Sequence, residues 1–174
     1  MTSRVDTVAI LGLGLIGGSL AKALRESGFC KKILGYGHRE PSLQRGLELG
    51  VIDAFTLDID EVIEAADVLV ICTPTLVAQT VLSELLPRTE AMSAPPVITD
   101  AASVKGNLEA AALDLCDQYP PYLVLGHPIA GSEQSGVDAA RSDLYTNHRV
   151  ILTPVAANAD EAVELVRAMW LATG

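Results

Sequence analysis

Unbroken apolar runs alternate along this chain with stretches whose apolar residues recur every three or four positions. Val8-Ala9-Ile10-Leu11 is short, apolar and closed by glycine, so it reads as a buried strand. Ile16, Leu20 and Leu24 follow at helical spacing, with Gly28 as the stop. Lys32 to Tyr36 reads as a second strand, and a helix begins near Pro41, shows Leu43 and Leu47 on one face, and ends at Gly50. Asp67 to Cys72 is the strongest strand, apolar on both faces as a central parallel strand should be. Val77, Val81 and Leu85 then line a helix, and Pro95-Pro96 leads into a strand ending at Asp100.

The alternation continues with a helix from about Ser103 to Asp117 and a strand from Tyr122 to Leu125. After a glycine-rich loop comes a strand from Arg149 to Thr153, closed by Pro154. Asn158-Ala159-Asp160-Glu161 reads as a capping box with Asn158 as the cap. Ala162, Leu165, Val166, Met169 and Trp170 form the apolar stripe of the helix after it. Strands alternating with helices predict an α/β fold: a doubly wound, mostly parallel sheet of the Rossmann, dinucleotide-binding type. Neither a repeat nor a long linker interrupts it, so residues 1–174 read as one domain.

Composition narrows the picture. Hydrophobic residues make up 49% and aromatics only 4%, so the core is aliphatic, as in a sheet covered on both faces. No apolar run approaches the ~18 residues that span a bilayer, and MTSRVDTVAILG lacks the pattern of a signal peptide. The expectation is a cytoplasmic protein with no membrane partner. Cys30, Cys72 and Cys116 are too scattered for a disulfide or zinc framework, and Cys72 reads as a small buried hydrophobe. His38, His127 and His148 lack metal-ligand spacing, so no metal is expected. The net charge of −10 argues against nucleic acid, though not against a small anion held by local donors.

Gly12-Leu13-Gly14-Leu15-Ile16-Gly17 matches GxGxxG between a strand and a helix, the context in which that pattern binds a dinucleotide. The first glycine allows the turn, the second lets a pyrophosphate approach, and the third lets helix pack on strand. Amides at the helix start then face the phosphates, which assigns Gly12, Gly14, Leu15, Ile16 and Gly17 to the cofactor. At the end of the second strand, where NAD sites usually carry an acid for the ribose, the run is Gly35-Tyr36-Gly37-His38-Arg39-Glu40. An arginine there can grip a 2′-phosphate through a charge-assisted fork, so His38 and Arg39 lean the expectation towards NADP over NAD. The competing reading leaves Arg39 in solvent and gives the ribose to Glu40 or to backbone.

GLGLIGGSLAKAL, ASVKG (Ala102 to Gly106), GHPIAGSEQSG (Gly126 to Gly136) and Leu144-Tyr145 together resemble the nucleotide-binding domain of prephenate and arogenate dehydrogenases. The resemblance runs over essentially the whole chain, and HPIAGSEQSG and SVKG are its most specific parts. It implies oxidative decarboxylation on the way to tyrosine: a hydride leaves C4 of the substrate ring for the nicotinamide, and the C1 carboxylate departs as CO2. It implies that His127 takes the proton of the 4-hydroxyl and that Ser103 hydrogen-bonds near that hydroxyl and the nicotinamide. Glu133, with Ser132, is assigned to the substrate mouth, and Thr73-Pro74 to the cofactor's path. Many members have Asp where Gly37 stands, a departure that bears on cofactor choice. Members also continue into a helical domain that dimerises and supplies an arginine for the substrate carboxylate; this chain is expected to lack that domain, and the longer form to be a homodimer.

The residues alone are compatible with that chemistry. Imidazoles titrate near ~6.5, which suits a general base at neutral pH. His127 lies just beyond the strand expected at Tyr122 to Leu125, and open α/β sheets place ligands outside the carboxyl ends of their strands. A histidine that only caps a strand end is the other reading of the residues. Lys105 divides between a first-turn lysine facing water and a role near the cofactor. Alternatives to the family are a β-hydroxyacid dehydrogenase, which shares the glycine loop, and a non-catalytic nucleotide-sensing domain; neither gives HPIAGSEQSG a purpose.

Overall fold

In the computed structural model, which describes residues 5–174, five parallel strands form one sheet in the order β3-β2-β1-β4-β5. They are β1 (Val5–Leu11), β2 (Cys30–Tyr36), β3 (Ala54–Thr56), β4 (Val68–Ile71) and β5 (Val97–Asp100). Residues 1–4, the start of the N-terminal stretch MTSRVDTVAILG, lie outside the described residues. Between the strands run α1 (Leu15–Ser27), α2 (Glu40–Glu48), α3 (Ile59–Ala65), α4 (Thr75–Glu90) and α5 (Gly106–Leu115). A two-stranded antiparallel sheet comes next, β6 (Gly126–Pro128) with β7 (Val150–Leu152), and α6 (Asp160–Leu171) closes the domain. Among the described residues no helix is long and apolar enough to cross a membrane.

The period of two in β1 sorts the helices into layers. Val8 and Ile10 face one way, into a cluster with Leu20 and Leu24 of α1, Leu43 of α2 and Val166 and Met169 of α6. Ala9 and Leu11 face the other way, against Val62 of α3, Leu82 and Leu85 of α4 and Leu108 of α5. Helices thus cover both faces, so the sheet is doubly wound. The strand order reverses between β1 and β4, and a crevice opens there at the carboxyl ends.

Several expectations need correction. Tyr122 to Leu125 is not a strand: one bridge joins Leu123 to Ile98, with Ile98 N–H donating to the Tyr122 carbonyl and Val124 N–H to the Ile98 carbonyl. One step further the ladder stops, because Gly126 N–H donates at 3.0 Å to the Asp100 carboxylate instead of to main chain. The chain turns there and pairs antiparallel with β7, so His127 lies within a strand, opposite Ile151, and not beyond one. The helix expected from Ser103 begins at Gly106 and ends at Leu115, which leaves Ser103 in the loop after β5. The buried face of α4 is Ala78, Val81, Leu82, Leu85 and Leu86, while Val77 is exposed.

Three elements were not expected: β3, α3 and a single 3-10 turn at Val137–Ala139. β3 and the 3-10 turn are too short to show a period; α3 shows one in Ile59, Val62 and Ile63, which it buries, behind Asp58, whose Oδ1 accepts from Asp60 N–H at 2.8 Å as an N-cap.

Asn158 is not the cap of α6, since Ala159 holds that position. Its Oδ1 accepts from Val155 N–H at 2.8 Å and its Nδ2 donates to the Leu123 carbonyl at 2.7 Å. The amide thus clips the loop before α6 to the segment leading into β6. Asn158→Ala should lower stability by about 1–3 kcal/mol in urea unfolding, because it strands partly buried partners. Asn158→Ser should not recover the loss, whereas at a genuine N-cap serine would serve as well as asparagine.

Candidate active site at the carboxyl ends of β1, β4 and β5

The glycine loop is shaped by close approach. Gly12 has a φ of +100°, and a Cβ there would meet Thr73 Cγ2 at 2.6 Å and Thr73 N at 3.0 Å. A Cβ on Gly17 would meet the Gly12 carbonyl oxygen at 2.4 Å and Ile10 Cγ2 at 2.7 Å, so only glycine lets α1 sit this near β1. Gly14 differs, because a Cβ there meets nothing within 4 Å. It is the N-cap of α1, no side chain caps the helix, and no acid lies in the first turn. The first helical bond runs from Gly18 N–H to the Gly14 carbonyl at 2.8 Å, so the amides of Leu15, Ile16 and Gly17 precede any intrahelical acceptor. Free amides at the positive end of a helix, beside an open glycine, fit a pyrophosphate.

The strap that holds this helix comes from far along the chain. Tyr145 hydroxyl donates to the Ile16 carbonyl at 2.7 Å, Arg141 N–H donates to Ser19 Oγ at 3.0 Å, and Lys22 Nζ donates to the Ala140 carbonyl at 2.6 Å. Tyr145 also packs edge-on against Trp170, with ring centroids 5.3 Å apart. Leu144-Tyr145 is therefore a structural signature that ties α6 to the phosphate-facing end of α1.

In front of the loop lies a cleft of about 440 Å³. Gly14, Leu15 and Ile16 from the start of α1, Thr73 and Pro74 after β4, Ser103 after β5 and Ser132 after β6 line it. The structure thus gathers much of the expected set in one place. Cys72, Thr75, Gln134 and Ser135 also line the cleft, and sequence reasoning did not assign them there. Burial pushes the Cys72 thiol up, with the Asp100 carboxylate adding to the effect, so Cys72 is a neutral thiol at pH 7.

Other expected residues stand apart from the cleft wall. Gly12 and Gly17 are taken up by packing behind it. Glu133 is exposed on the loop after β6. His38 and Arg39 are exposed at the end of β2, and a Cβ on the intervening Gly37 would meet nothing within 4 Å. His127 is half-buried, and its Nδ1 is buried without a protein hydrogen-bond partner. His148 is exposed, with Nδ1 3.0 Å from the Thr146 carbonyl oxygen.

The residue that sequence reasoning missed is Asp100, which no solvent reaches. Its Oδ1 accepts from Gly126 N–H and its Oδ2 from Ala102 N–H, each at 3.0 Å, and Lys105 Nζ pairs with the same Oδ2. Lys105 Nζ also donates to the Gly126 carbonyl at 2.6 Å, so this lysine turns inward and does not face water. Burial pushes the Asp100 carboxyl up and the Lys105 ammonium down, and their mutual attraction works against both shifts. An acid at the end of the strand Val97-Ile98-Thr99-Asp100, with a lysine five residues on, was the available signal.

A parallel sheet in this strand order, with an anion-ready glycine loop at its switch point, defines a dinucleotide-binding domain. Residues 20–174 match the prephenate dehydrogenase, nucleotide-binding domain family, and the chain belongs to that family. It is 35% identical over 170 residues to the prephenate dehydrogenase of Bacillus subtilis, covering 96% of this chain and 44% of that protein. The structure superposes on prephenate dehydrogenase from Aquifex aeolicus, solved with hydroxyphenyl propionate and NAD+, with a TM-score of 0.88 and 34% identity. That match covers all of this chain and 59% of the other. Synechocystis arogenate dehydrogenase gives a TM-score of 0.84 and 28% identity over 97% of this chain and 57% of its own. The chain thus spans about half the length of the relatives it matches.

The glycine geometry separates two kinds of substitution. Gly14→Ala should leave thermal stability unchanged and weaken dinucleotide binding, since its φ of −128° suits alanine and the added methyl enters only the open cleft. Gly17→Ala should lower stability by about 1–3 kcal/mol through overpacking against main chain. Differential scanning calorimetry with a cofactor titration on each variant checks both.

Proposed function

We propose that this chain is the nucleotide-binding part of a dehydrogenase that oxidatively decarboxylates prephenate, or its amino counterpart arogenate. The observation that carries the reading is the convergence of the glycine loop, Thr73-Pro74, Ser103 and Ser132 on one cleft, with Gly126 and Ala102 tied to one carboxylate behind it. The cofactor, when bound, supplies a hydride acceptor. The chain's own residues do the rest. The amides at the start of α1 hold the pyrophosphate, and Thr73 and Pro74 guide the remainder across the sheet ends. Ser103 hydrogen-bonds the ring 4-hydroxyl and orients it. His127 takes the hydroxyl proton as hydride leaves C4, which lets the electrons of the departing C1 carboxylate aromatise the ring as CO2 is lost. Ser132 and Glu133 form the polar mouth through which the substrate enters.

Sequence relatives about twice as long support the further reading that a helical domain completes the enzyme. That domain carries the dimer seam and the arginine for the substrate carboxylate, and the choice between a keto-acid and an amino-acid side chain is made partly there. We read the cofactor as NADP in preference to NAD. Arg39 is exposed and makes no ion pair among the described residues, and Gly37 beside it leaves open space and contributes no carboxylate to repel a phosphate.

His127→Asn, in a protein that carries both domains, should cut turnover by about 10²–10⁴-fold, the usual contribution of a general base. Cofactor affinity should stay nearly unchanged, and the acidic limb of the pH–rate profile, which reports protonation of the base, should vanish. Full turnover with that limb intact would make His127 structural. Arg39→Ala should weaken NADP and leave NAD nearly unaffected in calorimetric titrations. A clear NAD preference in the unmutated protein would overturn the cofactor reading.

A further inference from the structure

Asp100 is a buried charge and Lys105 its half-buried partner, and the proposed chemistry consumes neither. Their contacts end on two particular residues. Gly126 is gripped through both main-chain groups, its N–H by Asp100 Oδ1 at 3.0 Å and its carbonyl by Lys105 Nζ at 2.6 Å. Ala102 is gripped through its N–H by Asp100 Oδ2 at 3.0 Å. Gly126 immediately precedes His127, and Ala102 immediately precedes Ser103. Across a trans peptide the next Cα lies only about 3.8 Å away, so holding the two neighbours anchors both active residues.

We propose that the Asp100–Lys105 pair is a positioning unit that sets Ser103 and His127 at a fixed separation, so that both reach one substrate hydroxyl. This rests on the proposed roles of those two residues. Two observations favour it over a plain contribution to stability. Burial pushes the Asp100 carboxyl up and the Lys105 ammonium down, against the pair's mutual attraction. Buried ion pairs can often be replaced by apolar side chains with no loss of stability, so stability alone does not explain one here. The pair's hydrogen bonds also end on the segments that carry Ser103 and His127, where the chain leaves the parallel sheet, and not on helix or strand interiors. Gly126 suits this geometry because its Cα is pressed against β7: a Cβ there would meet Leu152 Cδ2 at 2.9 Å.

Lys105→Met, in a protein carrying both domains, tests the proposal. Turnover per active site, with sites counted by cofactor titration, should fall by roughly 10–100-fold, as expected for an ångström-scale displacement of reacting groups. The substrate KM and the cofactor Kd should each change by less than about threefold, since a misplaced base acts on the chemical step and not on uniform binding. The acidic limb of the pH–rate profile should persist, because the base is displaced and not removed. A merely structural lysine would lower the number of sites and leave turnover per site intact, and that result overturns the proposal. His127→Asn in the same assay separates the two claims. If it retains full turnover, the reading of His127 falls; if it is inactive while Lys105→Met is fully active, the positioning role alone falls. Should Lys105→Met fail to fold, amide hydrogen exchange in the unmutated protein decides the matter. The Ala102 and Gly126 amides should exchange only with global unfolding, and exchange as fast as the exposed loop 131–136 would overturn the proposal.

Discussion

Asp100 ends a strand with a carboxylate sealed from water, and that group sets the path of the chain on both sides of the crevice. A parallel ladder with the segment at Tyr122 starts normally and then meets the carboxylate where a main-chain acceptor would be. The chain leaves the sheet there, and β6 pairs instead with β7 in the opposite sense. The same carboxylate holds the loop that carries Ser103 and draws Lys105 inward from the start of α5. A buried charge is costly unless it is paired and hydrogen-bonded, and this one accepts three donors. The active-site end of the domain is thus organised around a polar group, whereas the rest of the fold is organised by aliphatic packing.

The other constraint is distance. Gly12 and Gly17 let β1, the first turn of α1 and Thr73 approach to separations that any side chain would forbid. That approach aims the free amides of α1 into the cleft, while Gly14 keeps the path open. The strap from Ala140 to Tyr145 holds the helix from its outer side, so the phosphate-facing end is fixed from two directions. Rigid elements on both sides suit a site that must hold a hydride acceptor and a substrate ring in register.

Most of the architecture was legible in the sequence because the long elements carry strong periods. The apolar run of β4 and the spacing of Leu20 and Leu24 on α1 leave little choice. The glycine loop was legible for a different reason, since strand, GxGxxG and helix occur in the order that the mechanism needs. What escaped was short or depended on side-chain hydrogen bonds between distant residues. Strand β3 has three residues, too few for a pattern. Tyr122 to Leu125 has the composition of a strand, and nothing local reveals that Asp100 will intercept its ladder. Asn158 has the sequence context of a cap, yet its amide is taken by Val155 in its own loop and by Leu123 across the fold. Lys105 was left between water and the cofactor, and its real partner could be seen only once β5 and β6 were brought together.

The dinucleotide and Ser103 must share the cleft at the carboxyl ends of β1, β4 and β5 if these roles are to hold together. Backbone amide chemical shifts followed through a titration with NADP test that sharing directly. Saturable changes should appear at Gly14 to Gly17, Thr73 to Thr75, Ala101 to Ser103 and the loop from Gly131 to Gly136, with His38 and Arg39 responding at the ribose end. Changes confined instead to the groove between β7 and α6, lined by Val150, Leu152, Val163 and Arg167, would show that the dinucleotide binds elsewhere.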